Sequence, residues 1–69
     1  MDPQQLGQQL KRRRRSLRLT QPGLASLAGC SERFVRELES GKPGVRLDKL
    51  QQVLDVLGLE LHIEPRSTT

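Results

Sequence analysis

The sequence predicts an all-α fold: four short helices in one bundle, closed by a single strand at the C-terminal end. Three observations lead there. Leucines recur at helical spacing through four segments, each bounded by a capping residue or a glycine. The chain has no Trp or Tyr and a single Phe, and Leu, Gln, Arg and Glu are abundant, a composition that favours helices over a sheet sandwich. Only residues 59–64 change to a period of two.

The first helix runs from Pro3 or Gln4 to Leu17, with Leu6, Leu10 and Leu17 on one stripe. Pro3 suits a first turn, where its missing N–H costs little. Thr20 caps a second helix, Gln21 to Ala28, whose apolar stripe is Leu24, Leu27 and Ala28; Pro22 is tolerated in its first turn, and Gly29 ends it. Ser31 caps a third helix from Glu32 to Glu39 or Ser40, with Val35 and Leu38 inward and Gly41 at its end. Lys42-Pro43-Gly44 is a turn. A fourth helix spans Leu47 to Leu57, with Leu47, Leu50, Val53, Leu54 and Leu57 on one face, and Gly58 ends it. Leu59, Leu61 and Ile63 then alternate with Glu60, His62 and Glu64, and Pro65 stops this strand. The expected organisation is one domain over residues 1–64, with residues 59–64 as its strand and 65–69 as a flexible tail.

At 69 residues the chain has room for one domain. A core this small seldom supplies more than about 3–5 kcal/mol, so such chains usually gain support from disulfides, a metal or a partner chain. One cysteine excludes an internal disulfide, and one cysteine with one histidine cannot complete a four-ligand zinc site. A partner chain remains. The strand agrees: its backbone groups have no second strand to pair with, and the same strand of a second copy would satisfy them in a twofold dimer, with Leu59, Leu61 and Ile63 at the seam.

Charge is unevenly placed. Residues 1–46 hold ten Lys/Arg against four Asp/Glu, and residues 47–69 hold two against four. A basic first two-thirds is the footprint of a protein that meets a polyanion, most often nucleic acid. No apolar run approaches membrane-spanning length and the N-terminus has no signal-peptide pattern, so the expectation is a cytoplasmic, nucleoid-associated protein. Cys30 has no histidine close in sequence to activate it, Ser16, Ser26 and Ser31 lie in no nucleophile motif, and no Gly-rich phosphate loop appears. The expectation is a binding protein, not an enzyme, with no cofactor or metal.

Two short helices joined by a three-residue turn containing Gly29 have helix-turn-helix spacing. Ala25 is small enough to let the helices cross closely, and Ser31 caps the helix whose positive end can point at DNA. At about 100° per residue, Arg33, Arg36, Glu37 and Ser40 face most nearly away from Val35 and Leu38, while Glu32 and Phe34 flank them. Arg33 and Arg36 suit guanine O6 and N7. Glu32 or Glu37 could accept from cytosine N4 or orient a neighbouring arginine. Phe34 reads first as core-edge packing, with a contact to a thymine methyl as the alternative. The five consecutive cations Lys11 to Arg15 point all round their helix, so they cannot all face DNA. Arg13, Arg15 and Arg18 are the better candidates for attraction to phosphates.

The ordered set Leu19-Thr20-Gln21-Pro22-Gly23-Leu24-Ala25, Gly29-Cys30-Ser31, Val35 and Leu38-Glu39-Ser40-Gly41-Lys42 resembles the signature of Xre-type, phage-repressor helix-turn-helix proteins. Leu47-Asp48-Lys49-Leu50 and Val56-Leu57-Gly58-Leu59 continue it, so the resemblance covers roughly residues 6–64. Two positions depart from it: Gly23, where the family usually has a glutamate that completes a capping box, and Cys30, where an aliphatic residue is usual. The run Gly58–Ile63 is similar to the C-terminal strand of one branch, the HipB-like antitoxins. The resemblance implies a lambda-repressor-like bundle whose C-terminal strands pair across a dimer. It also implies an inverted-repeat operator, repression of the protein's own operon and neutralisation of a HipA-like kinase toxin. On the residues, it implies that Gln21 beside Thr20 bonds a backbone phosphate, that Lys42 makes another such contact, and that Arg14 pairs with Glu39 between the first and third helices. Rival expectations are a stand-alone prophage-type regulator and a protein-interaction module whose DNA binding is secondary.

Overall fold

Why the first three helices begin where they do, and why all four end, is visible in their caps. The computed structural model describes residues 2–65. Its elements are α1 (Pro3–Ser16), α2 (Gln21–Ala28), α3 (Glu32–Ser40) and α4 (Leu47–Leu57). Asp2 opens α1, its carboxylate accepting from the Gln4 and Gln5 N–H groups at 2.7 and 3.2 Å. Thr20 accepts from the Gly23 N–H and Ser31 from the Phe34 N–H, both at 3.0 Å, so α2 and α3 each start on a hydroxyl cap. Glycine at 29, 41 and 58 takes the left-handed conformation that closes α2, α3 and α4. At the end of α1 the same conformation falls on Arg18, at φ 58°, which lets the Leu19 N–H reach the Arg14 carbonyl at 3.1 Å.

The core is made of Leu10 from α1, Leu24, Ala25 and Ala28 from α2, Val35 and Leu38 from α3, and Leu50, Val53, Leu54 and Leu57 from α4. Each large aliphatic side chain buried this way contributes about 1.5–3 kcal/mol. α1 packs against α3 and α4, and α2 packs against the same two helices. Three leucines expected inside lie elsewhere. Leu27 is 64% exposed, because the eight residues of α2 bury only the stripe Leu24, Ala25 and Ala28. Leu47 is 69% exposed, at the first residue of α4, where burial begins only at Leu50. Leu17 caps α1 from outside and is exposed.

The strand expected over residues 59–64 is not formed within the chain. Leu59 packs on the core, and its N–H donates to the Leu54 carbonyl at 3.0 Å, finishing α4. Residues 60–65 are neither helix nor strand; Leu61 sits at the margin and Ile63 is 98% exposed. A strand needs a neighbour along its edge, and the described residues, being helices and their connections, supply none. Of the tail expected at 65–69, residues 66–69 lie outside the described residues.

Gly7 sets the approach of α1 to α3. A Cβ there would sit 2.6 Å from the carbonyl oxygens of both Leu38 and Glu39. Those oxygens belong to the last turn of α3 and cannot move without shifting the helix. Alanine would favour α1 by about 1 kcal/mol on propensity alone. Gly7→Ala is nonetheless expected to destabilise by about 1–3 kcal/mol through overpacking. Urea unfolding checks this, and a more stable variant would contradict the packing described.

Candidate nucleic-acid interface

α3 presents its outer face because its inner face is fully used. Val35 and Leu38 are buried in the core, and Glu39 is buried beside them. Glu39 receives the Arg14 guanidinium, Nε to Oε2 at 2.6 Å and Nη2 to Oε1 at 3.0 Å. Arg14 also donates to the Leu19 carbonyl at 2.8 Å. The Gln21 side-chain amide donates to Glu39 Oε1 at 3.0 Å. One carboxylate therefore ties α1, the start of α2 and the end of α3. Gln21, which the resemblance assigns to a phosphate, is held by that carboxylate and keeps a second amide N–H.

On the outer face, Arg33, Arg36 and Ser40 are exposed, with Glu32 beside them, and Phe34 is half-buried against the core. Phe34 also lines a shallow groove with Leu38, Lys42, Val45 and Arg46, which agrees with core-edge packing. The charges on this face pair with one another. Arg33 Nε lies 3.3 Å from Glu37 Oε1, Arg36 Nη1 lies 3.6 Å from Glu32 Oε2, and Lys42 Nζ bonds Glu37 Oε2. The hydrogen bond from Lys42 holds the Glu37 carboxyl below its ordinary range; partial burial opposes this and Arg33 adds to it. The pairing is thus present at neutral pH and is lost as pH falls through that lowered value. Ser40 turns its hydroxyl to the Glu37 carbonyl, 2.8 Å.

Other cations take different roles. Arg13, expected to attract phosphates, donates Nε to the Leu57 carbonyl at 2.8 Å and so caps the C-terminal end of α4. Nothing in the residues around Arg13 signals a cap on a carbonyl forty-four residues away. Lys11, Arg12, Arg15 and Arg18 form no ion pair among the described residues. Cys30 packs at the core edge, and burial pushes its thiol up, so it stays protonated at neutral pH. His62 lies 3.4 Å from Glu60 on the exposed C-terminal segment. Among the described residues no group of three or more His, Cys, Asp or Glu is placed to hold a metal ion. No described helix is long and apolar enough to cross a membrane.

A helix-turn-helix, α2 and α3 joined at Gly29, thus carries an exposed polar face on a buried scaffold. The family model for a helix-turn-helix domain matches residues 5–63. An uncharacterized HTH-type transcriptional regulator, y4mF of Sinorhizobium fredii, is 38% identical over 61 residues, 88% of this chain and 80% of its own. The chain belongs to the helix-turn-helix family of DNA-binding transcriptional regulators. Its fold matches two solved structures at TM-score 0.87 and 22% identity, over 97% of this chain and 94% of each matched chain. One is described as an MDT protein and the other as a HipA-HipB-O2-O3 complex.

The start of α3 in this regulator rests on Ser31. Ser31→Ala is expected to cost about 1 kcal/mol and Ser31→Asp to keep the cap. Thermal unfolding distinguishes them: equal melting temperatures for the two variants would show that the cap does not contribute.

Proposed function

We propose that this regulator is a dimeric repressor that binds an inverted-repeat operator and serves as the antitoxin of a HipA-like toxin. The observation that carries the DNA reading is the division of α3: Val35, Leu38 and Glu39 fix it from inside, and Arg33 and Arg36 stand on its outer face, the Arg33 side chain 79% exposed. Two such helices related by a twofold axis reach successive major grooves. Thr20, Gln21, Ser31 and Lys42 flank them at the helix ends, where phosphate contacts fix register without reading sequence. Arg33 and Arg36 read guanine, and Glu32 and Glu37 face the groove beside them. Occupied operator DNA then excludes polymerase.

The dimer is supported by the C-terminal segment. Leu61 and Ile63 are apolar and exposed, and the backbone after Leu59 has no hydrogen-bonded neighbour among the described residues. Pairing residues 59–64 with the same residues of a second copy covers both. The antitoxin role is supported by the likeness in fold to a chain from a HipA-HipB complex, together with the resemblance of the Gly58–Ile63 run.

One series of binding measurements tests this reading. If each protomer neutralises about three to five phosphates, log affinity falls with log salt at a slope of about −5 to −9 per dimer. Arg33→Ala or Arg36→Ala should cost roughly 1–3 kcal/mol and relax preference at one base per half-site. Gln21→Ala should weaken all sequences alike. A chain ending at Gly58 should sediment as a monomer and lose operator affinity. A flat salt response contradicts the DNA interface, and a truncated chain that remains a dimer places the seam elsewhere. Co-purification with the product of a neighbouring kinase-like gene tests the antitoxin role.

A further inference from the structure

Glu37 holds two cations at once. Its Oε1 lies 3.3 Å from Arg33 Nε, and its Oε2 accepts from Lys42 Nζ. The Lys42 backbone N–H also donates to the Glu37 carbonyl at 3.0 Å, so the chain leaving α3 is folded back over this residue. Lys42 would otherwise be offered to the phosphates of any duplex, and so would Arg33 wherever the groove presents no guanine for it to read. A phosphate oxygen and a carboxylate oxygen compete for the same charged N–H donors. While Glu37 keeps them, binding to arbitrary sequence lacks two of the neutralised phosphates that sustain it. A carboxylate at this place also repels phosphate directly.

The major groove offers a carboxylate one well-matched partner, the exocyclic amino group of cytosine, whose N4–H donates. We propose that Glu37 is a specificity gate: its carboxylate withholds Arg33 and Lys42 from the phosphates of non-cognate DNA and releases them only where a cytosine N4 amino group takes their place. The inference rests on the reading of α3 as the DNA-facing helix. It differs from a simple base contact in its sign. Removing an ordinary base contact weakens binding to the operator and leaves random DNA as it was, whereas removing the gate strengthens binding to random DNA.

Glu37→Gln is a mild change, since glutamine forms helix as well as glutamate and the side chain lies at the surface. Asp55→Asn is the control: it deletes the same charge from the exposed side of α4. Both variants and the wild type are titrated with random-sequence duplex over a range of salt, and with the fragments each protein selects from a random pool. Glu37→Gln is expected to bind random duplex about tenfold more tightly, with a salt slope steeper by about 0.9 for each cation released. The wild type is expected to select cytosine at one position per half-site and Glu37→Gln to accept any base there. Asp55→Asn should leave slope and selection unchanged. If the wild type selects a site but Glu37→Gln matches Asp55→Asn on random duplex, the gate is overturned and the reading of α3 stands. If the wild type selects no sequence, that reading falls and the gate with it.

Discussion

The buried ion pair between Arg14 and Glu39 is the contact on which the arrangement of this small domain depends. It joins the second half of α1 to the last turn of α3, and through Gln21 it reaches the first residue of α2. Taking both ions out of water is costly, and in low dielectric the attraction often does no more than offset that cost. Its value therefore lies in geometry. Arg14 has three donors engaged, on Glu39 and on the Leu19 carbonyl, and Glu39 accepts three hydrogen bonds. An apolar pair would permit α3 to slide or roll against α1, whereas this pair has one arrangement that keeps all of these hydrogen bonds. Gly7 removes the remaining slack by letting the α3 carbonyls rest on the α1 backbone.

From that anchor the outer surface follows. With the end of α3 fixed from inside by Glu39, its other charged side chains point outward, and the N-terminal end capped by Ser31 lies beside them. The start of α2 is held to the same carboxylate, so the two helix ends that a duplex backbone would meet share one support. The net charge of +4 overstates what this face offers. Arg33, Arg36 and Lys42 all have carboxylate partners, while Lys11, Arg12, Arg15 and Arg18 have none among the described residues. On the proposed reading, long-range attraction to a polyanion comes mainly from α1 and Arg18, and short-range recognition from α3.

Much of the fold was legible because its punctuation is local. Thr20, Ser31, Gly29, Gly41 and Gly58 act on backbone groups within a few residues, and the periodicity of Val35 and Leu38 names the inner face of α3. What escaped were contacts across the fold. Arg13 caps a helix forty-four residues away, and Gly7 is small for the sake of carbonyls on another helix. Arg18 takes a glycine-like conformation without being glycine. Leu27 and Leu47 fit the helical stripe, yet short helices in a small bundle cover only part of it. The alternation in Leu59–Glu64 describes a preference that a single chain has no edge to express. On the candidate interface, the outward set was readable by angle, but the way Glu37 couples Arg33 to Lys42 was not, because Lys42 lies beyond the helix.

Arg14 and Glu39 act as one unit to place α3. A double-mutant cycle with Arg14→Met, Glu39→Met and both together measures it by urea unfolding. Each single change leaves one buried charge without its partner and is expected to cost about 3–5 kcal/mol, whereas the double change should recover a large part of that loss. A coupling of at least about 2 kcal/mol is the predicted result. Two single costs that simply add in the double variant would show that Arg14 and Glu39 act independently.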